Sequence, residues 1–214
     1  MYPILYSFRR CPYAIRARLA LLASGQYVEL REVNLQKKPN ELTQCSPKAT
    51  VPVLLTPEGG ILEESREIMK WALAINDPDN WLQHNQTEFS EDSTRLIDEN
   101  DDYFKYYLDR YKYTDRYSQH ISIYFRQFCI QYLEKLENRL NKHAFLSSNK
   151  ITITDMAIVP FVRQFVYVDK EWFYQSQFKQ LNIWLDRLIS SNIFSECMKK
   201  YPIWLTGDNI KLFP

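Results

Sequence analysis

The stretch SFRRCPYAIR (Ser7–Arg16) places a cysteine between a strand pattern and a helix pattern. The apolar run YPILYS (Tyr2–Ser7) that leads into it suits a buried strand. After it, apolar residues recur at i, i+4 and i+7, the spacing of one helix face; they are Ile15, Leu19 and Leu22. The cysteine therefore falls at a strand-to-helix junction.

Cys11 is predicted to cap this helix, because Pro12 suits the first helical position, where its missing N–H costs nothing. Gly25 follows where the helix would stop. Free backbone N–H groups and the positive end of the helix dipole stabilise a thiolate at the cap, and Arg9 and Arg10 add to this if they turn inward. The alternative is that Cys11 is a small buried hydrophobe that happens to precede a helix.

Composition excludes several classes of protein. With 214 residues, the chain has room for one large domain or two small ones. Its 27 Lys and Arg balance 26 Asp and Glu, so no overall field draws it to nucleic acid or to an anionic membrane. No run approaches the roughly 18 apolar residues of a membrane span, and the first residues enter a strand pattern rather than a signal peptide.

The cysteines and histidines show no metal-ligand pattern. The four cysteines lack the paired spacing of a zinc site or a disulfide framework, and His84, His120 and His143 are scattered. We therefore expect no metal, and reduced thiols in a cytoplasmic protein.

Residues 1–76 alternate between strand and helix patterns. After the first strand and helix, Tyr27–Leu35 is β-rich, and Pro39–Ser46 is long enough only for a short helix or turn. The runs VPVLLT and ILE flank the turn PEGG and predict a hairpin, and a further helix pattern begins at a possible cap, Ser65. The predicted order is βαβαββα, a crossover unit followed by an antiparallel hairpin.

The remainder reads as a polar linker, 77–88, and a helical region, 89–214. The predicted helices are Phe89–Tyr111, a stripe running from Ile121 through Phe125, Phe128, Tyr132 and Leu136 to Leu140, Thr152–Val168, and a helix carrying Leu181, Trp184, Leu185 and Leu188. The chain is thus predicted to join a small α/β domain to an all-helical one.

The sequence TITD (Thr152–Asp155) matches a capping box at the start of one of these helices. The Thr152 side chain accepts from the Asp155 N–H in such a box, and Asp155 reaches back to the Thr152 N–H. We expect a structural role, worth about 1 kcal/mol for each member.

The sequence SPKATVPVL (Ser46–Leu54) contains Val51–Pro52 just before a strand. An ordinary trans proline can open an edge strand. If the bond is cis instead, the Val51 N–H and C=O are left free to pair with an extended, peptide-like ligand. Spacing alone does not separate the two.

The sequence LEESREI (Leu62–Ile68) puts Glu64 and Ser65 at a strand-to-helix junction. Backbone donors and a serine hydroxyl there can hold a carboxylate, and Glu64 can pair with an ammonium group, which together suit an α-amino acid moiety. The alternative is a plain serine N-cap followed by an acidic first turn.

The segment Asp101–Tyr117 is dense in tyrosine, with interleaved lysine and arginine. Such a stretch can stack bases. The neutral net charge and the helical spacing favour a solvated face, a dimer seam or the wall of a pocket.

Taken together, Cys-Pro-Tyr-Ala after the first strand, SPKATVPVL, EES and the capping box resemble a glutathione transferase over nearly the whole chain. The cysteine version of the first motif is most similar to the omega-type, glutaredoxin-like branch. The resemblance implies a thioredoxin-like N-terminal domain (1–76), an all-helical C-terminal domain (89–214), a homodimer, and glutathione as co-substrate.

The resemblance also implies roles for single residues. Cys11 resembles the thiol that faces glutathione, and Val51, before a cis proline at Pro52, resembles the backbone partner of its cysteinyl unit. Glu64 and Ser65 resemble the pair that holds the γ-glutamyl end. A further position, Lys38, resembles the lysine that meets the glycyl carboxylate.

The predicted function is a glutathione-dependent thiol transferase or reductase in which Cys11 attacks a glutathione mixed disulfide or an electrophile. A small electrophile or disulfide would bind in a cleft between the domains, walled by helix Phe89–Tyr111. Residues that could line this pocket are Tyr13, Tyr103, Tyr106 and Tyr107. The alternatives are a conjugating transferase, in which Cys11 only activates glutathione, and a non-catalytic interaction module, against which the intact Cys11, Glu64 and Ser65 argue.

Overall fold

The computed structural model describes residues 2–83, 87–113 and 119–214, with the side chains of 87–90 and 119–121 left out. The described chain forms two compact units. The first unit comprises the residues up to Asp79 together with Ser191–Pro214, and the second unit is Asn80–Ser190.

The first unit contains a five-stranded sheet with the order β4-β3-β1-β2-β5. Its strands are β1 (Ile4–Ser7), β2 (Val28–Glu32), β3 (Val53–Leu55), β4 (Ile61–Leu62) and β5 (Leu212–Phe213). Its helices are α1 (Pro12–Ser24), α2 (Asn40–Cys45), α3 (Ser65–Ile75) and α10 (Asn192–Cys197). Strands β1 and β2 are parallel, and the other pairs are antiparallel. The predicted order βαβαββα is confirmed.

The second unit is helical. Its helices are α4 (Thr87–Glu99), a π-helical segment (Asn100–Phe104), α5 (Lys105–Lys112), α6 (Gln119–Leu140), α7 (Ile153–Val166), α8 (Lys170–Gln175) and α9 (Lys179–Ile189). Much of the predicted apolar stripes lies in its core: Tyr132 and Leu136 of α6 are fully buried, as are Leu181 and Leu185 of α9. Phe125 and Phe128, in the predicted stripe of α6, are only partly buried. The side chain of Ile121, in the same predicted stripe, lies outside the described residues.

Helix α1 begins and ends where its sequence predicts. Pro12 is its first residue, and Gly25 caps its C-terminus with φ +67°, so its N–H can bond back to the Leu21 and Leu22 carbonyls. Glycine adopts this left-handed conformation without a Cβ clash, which explains the sharp stop. The β3–β4 hairpin likewise forms as predicted, with Gly59 at φ +88° in its turn.

One long helix was predicted over Phe89–Tyr111, but the structure interrupts it with the π-helical segment. Leu96 and Leu108, before and after the interruption, are both buried, as is Phe104 within it. Because apolar residues continue to face inward throughout, their spacing contains no sign of the changed hydrogen-bond pattern. The π-helical segment also contains the fully buried Asn100, whose Nδ2 donates to Asp101 Oδ1 (2.9 Å).

Strand β5 departs from the prediction that residues 89–214 are helical throughout. Phe213 pairs with Val28 across the edge of β2 and is buried, and Ile203 makes a further bridge to Glu32. Two residues are too few to show the alternation by which a strand is recognised in sequence. The six-residue helices α8 and α10 were also not predicted, since each spans less than two turns.

The division into 1–76, 77–88 and 89–214 stays a prediction, and residues 84–86 of the linker lie outside the described residues. Over the described part of the chain, no helix combines the length and apolar character needed to cross a bilayer.

Candidate active site

Cys11 occupies the N-cap of α1, as predicted, with φ −77° and ψ 123°. Its backbone N–H closes a turn onto the Phe8 carbonyl (2.9 Å), and its carbonyl accepts the first helical hydrogen bond from Ile15 (3.0 Å). The thiol is partly buried and donates to the Val51 carbonyl, with an S–O distance of 3.5 Å. The sulfur is therefore held at the positive end of a 13-residue helix, next to the backbone of a second segment.

Of the two arginines before the thiol, Arg10 makes a contact through its side chain and Arg9 through its backbone. Arg10 is exposed and lies with its guanidinium over the Phe8 ring, 5.4 Å from the centroid. Arg9 donates its backbone N–H to Glu32 Oε1 (2.8 Å). The turn before Cys11 is thus tied to β2 through its backbone.

Val51 is buried, and the Val51–Pro52 peptide bond is cis, the second of the two alternatives drawn from the sequence. Val51 belongs to a core cluster with Tyr6 and Val53, and Cys11 packs against the same cluster. Two positions earlier, Ala49 has φ +47°, a left-handed conformation that a residue with a Cβ rarely adopts. Cys11 and Val51 therefore meet at the edge of a buried apolar cluster.

Helix α3 begins one residue earlier than its predicted cap implies: Glu64 is the N-cap, and Ser65 is the first helical residue, buried at 5% exposure. The Glu64 carboxylate is exposed and accepts from Lys48 Nζ (3.1 Å). Next to it, Ser46 Oγ donates to Glu63 Oε1 (2.5 Å). These two contacts join the loop that leads to Val51 to the start of α3.

The other predicted site residues are dispersed. Lys38 is exposed in the loop between β2 and α2. Tyr13 is partly buried on α1, with the Arg16 guanidinium 5.5 Å from its ring centroid. In the second unit, Tyr107 stacks on Phe128 with 4.4 Å between centroids.

Three tyrosines of the second unit, Tyr103 of the π-helical segment and Tyr106 and Tyr107 of α5, form an aromatic cluster next to α6. Tyr103 donates its hydroxyl to Gln131 Oε1 (2.8 Å), and the half-exposed Tyr106 lies under the Arg110 guanidinium at 3.3 Å from its centroid. Their part in binding an acceptor stays a prediction. Residues 114–118 of this tyrosine-rich segment lie outside the described residues.

Sequence reasoning missed a buried ion pair between Arg18 of α1 and Glu32 of β2. The positions of these two residues in their sequence patterns could have predicted the pair. Arg18 lies three residues after Ile15, on the apolar face of the helix, and Glu32 continues the inward-facing positions of Val28 and Leu30. Charges of opposite sign at inward positions of two neighbouring elements indicate a buried pair.

Within the part of the chain that the structure describes, no group of three or more histidine, cysteine or acidic side chains could hold a metal ion. The side chains of His84 and His120 lie outside that part.

Family models match both halves of the chain. Residues 5–81 match the model described as Glutathione S-transferase, N-terminal domain, and residues 129–187 match Glutathione S-transferase, C-terminal domain. Together the two matches span well over half of the chain. The chain belongs to the glutathione S-transferase family.

Individual relatives are similar over a shorter stretch. A probable glutathione transferase of Aplysia californica is 44% identical over 55 residues, which are 26% of this chain and 60% of that one. Glutathione S-transferase omega-1 of Sus scrofa is 39% identical over 61 residues, 28% of this chain and 25% of that one. The matched stretches thus span less than two thirds of these relatives.

Solved structures resemble the whole chain in fold. A poplar glutathione transferase F1 mutant superposes with a TM-score of 0.79 at 16% identity, covering 92% of this chain and 97% of that one. The unclassified glutathione S-transferase 2 of Bombyx mori gives 0.78 at 16% identity, covering 92% and 94%. A thioredoxin-like N-terminal domain followed by a helical domain is therefore confirmed.

Proposed function

We propose that this protein is a glutathione-dependent thiol transferase or reductase whose nucleophile is Cys11. The observation that carries the proposal is the partly buried thiol at the N-cap of α1, 3.5 Å from the Val51 carbonyl. A helix N-terminus favours the thiolate, which is the reactive form of cysteine. The omega-class name of a relative supports the cysteine-type branch of the family.

Glutathione would bind along the segments that surround this thiol. Deprotonation of Cys11 releases the Val51 carbonyl, which can then accept the N–H of the cysteinyl unit. The γ-glutamyl ammonium would replace Lys48 as the partner of the exposed Glu64 carboxylate, while Ser65 and the N-terminus of α3 meet the carboxylate. Lys38 is the proposed partner of the glycyl carboxylate.

The proposed reaction is two successive thiol–disulfide exchanges. The Cys11 thiolate attacks the glutathione sulfur of a mixed disulfide, and the substrate leaves as a thiolate that takes up a proton. A second glutathione thiolate then attacks the Cys11–glutathione disulfide, which releases oxidised glutathione and restores the Cys11 thiolate. Overall, the mixed disulfide and one reduced glutathione give the substrate thiol and oxidised glutathione.

A second protein thiol is not needed in this cycle. Ala14, three residues after Cys11, occupies the position where a two-cysteine oxidoreductase has its resolving thiol. The neighbouring element α2 ends with Cys45, whose thiol donates to the Leu42 carbonyl (3.3 Å) and whose pKa is raised by burial. A protonated thiol attacks disulfides poorly, so we propose a monothiol mechanism.

The test compares the wild type with Cys11→Ser, using Cys45→Ser as the matched control. With oxidised glutathione, the wild type and the control should each gain a glutathionyl group at Cys11, mapped by peptide mass and released by reductant. Cys11→Ser should lose both the adduct and disulfide reduction. Reduction at the wild-type rate in Cys11→Ser would remove Cys11 as the nucleophile.

Two further measurements separate the alternatives. Conjugating activity that survives in Cys11→Ser, without reductase activity in the wild type, would favour a conjugating transferase. Failure of the wild type to bind immobilised glutathione would favour an interaction module. A homodimer and a small disulfide or electrophile as second substrate belong to the same proposal.

A further inference from the structure

The buried ion pair of the first unit connects five separate segments. Arg18 has no exposed surface, and its partner Glu32 is 7% exposed. Besides this pair, Arg18 donates from Nε to Ser7 Oγ (2.9 Å) and from Nη1 to the Cys197 carbonyl (3.4 Å). The Phe213 ring covers its guanidinium at 5.7 Å. Arg18 therefore links α1 to β1, β2, α10 and β5.

Glu32 connects this pair to the turn that carries the thiol. One carboxylate oxygen, Oε2, pairs with Arg18, and the other, Oε1, accepts the backbone N–H of Arg9 (2.8 Å). The start of the turn is also tied to the residue that follows β2, because the Val33 N–H donates to the Ser7 carbonyl (2.8 Å). A single buried carboxylate thus fixes the turn two residues before Cys11 relative to the helix that Cys11 caps.

Stability is by itself a weak reason for such a pair. Desolvating two charges offsets much of their attraction, and apolar residues of similar volume are often as stable in the same place. Recognising a backbone N–H, however, requires an acceptor that apolar residues lack. The second oxygen of Glu32 is used for that purpose, at the turn before the thiol.

We propose that Arg18 and Glu32 are positioning residues for the Cys11 thiol, which deepens the proposed function and rests on it. Arg18 holds the Glu32 carboxylate in place, and Glu32 holds the Arg9 N–H. The turn therefore keeps Cys11 at the N-cap of α1, facing the Val51 carbonyl.

The experiment replaces both charges together, because removing only one leaves the other buried and unpaired. In R18M/E32M the pair and the acceptor for Arg9 are both lost. In R18M/E32Q the pair is lost, but an amide oxygen remains for the Arg9 N–H. The matched control is E29M/R31M, which removes the neighbouring ion pair of β2 (2.7 Å) and the Arg31 hydrogen bond to the Tyr6 hydroxyl (2.7 Å), neither of which involves the turn.

The main measurement is the alkylation rate of Cys11 by iodoacetamide across a pH range, mapped by peptide mass, in the absence of glutathione. For R18M/E32M we expect about a tenfold slower reaction near neutral pH, since small misplacements of a reacting group have effects of this size or more. The midpoint of the pH–rate profile should move upward as the thiolate loses the helix N-terminus. R18M/E32Q should recover only part of the rate, to about threefold below the wild type, because the amide oxygen still accepts the Arg9 N–H but Arg18 no longer holds it in place. The control should match the wild type.

An unchanged rate and midpoint in folded R18M/E32M would overturn the proposal, as would an equal loss in the control. If R18M/E32M does not fold, R18K replaces it, because lysine keeps the charge beside Glu32 without the fork that reaches Ser7. About threefold slower alkylation is expected there, and a wild-type rate would overturn the proposal. Because alkylation needs no glutathione, an inactive wild type would refute the proposed function while leaving this comparison intact.

Discussion

Replacing Asp155 with alanine should destabilise the second unit far more than the loss of a helix cap. The Asp155 side chain is fully buried and accepts four hydrogen bonds, each of 2.9 Å. One comes from the Thr152 N–H, as a capping box requires, and the others come from the Thr152 hydroxyl, the Leu146 N–H and Trp184 Nε1. Of these four, the sequence indicated only the bond from the Thr152 N–H.

The magnitude follows from the donors that Asp155→Ala leaves behind. The Thr152 and Leu146 N–H groups and Trp184 Nε1 cannot rotate to new partners, and each unpaired buried donor costs about 1–3 kcal/mol. Burial also raises the pKa of Asp155, because taking the carboxylate out of water costs free energy. The alanine variant has no carboxylate and avoids this desolvation cost. We therefore take the lower part of the range and expect a loss of about 3–4 kcal/mol, a large fraction of a domain's stability.

The assay is urea unfolding followed by circular dichroism, with Thr152→Ala as the matched control. Thr152→Ala removes one hydroxyl and leaves the other three donors satisfied, so it should lose only about 1 kcal/mol. Asp155→Asn, which keeps one oxygen, should fall between them. Equal losses in Asp155→Ala and Thr152→Ala would refute the reasoning, because they would show that the Leu146 and Trp184 contacts contribute nothing.

Asp92 should stabilise the protein in a pH-dependent way, because Arg139 and then Arg95 lower its pKa to about 2. Its contribution to the stability of the folded state is present above about pH 4 and is lost as the pH falls toward 2. Asp92→Asn should therefore cost about 1–2 kcal/mol near neutral pH, after allowance for solvent screening, and a difference from wild type that persists in acid unfolding curves would contradict this. Ala49→Gly should stabilise by about 1 kcal/mol, because Ala49 has φ +47°; a lower melting temperature would count against it. Ser65→Ala should weaken glutathione binding by about 1–2 kcal/mol in calorimetry without unfolding the protein, and unchanged affinity would remove Ser65 from the site.

Features with a local cause could be predicted from the sequence. Strand β1, the Cys11 cap and Gly25 were all recognisable because each depends on residues within one turn or one strand of the feature itself. The capping box of α7 belongs to the same group, since its two members are three residues apart.

Features that depend on distant partners were missed. The Arg18–Glu32 pair joins two elements, and its link to the Cys197 carbonyl crosses 179 positions of sequence. The identity of Glu64 as the N-cap of α3 depends on backbone geometry, since serine is ordinarily the better cap. A linear pattern records that a position faces inward, but it does not record which group it will meet.

The first unit is built from two separate parts of the chain, so its sheet can be completed only after β5, near the C-terminal end of the sequence, has been synthesised. Until residues 212–213 leave the ribosome, the outer edge of β2 has no partner for Val28 and Glu29, and the Leu30 N–H lacks the Lys211 carbonyl that it binds at 2.7 Å. All of the second unit is translated during that interval. An unpaired strand edge can pair with strands from other molecules. Nascent chains and products of premature termination therefore expose an aggregation-prone edge of β2, which β5 covers in the folded protein.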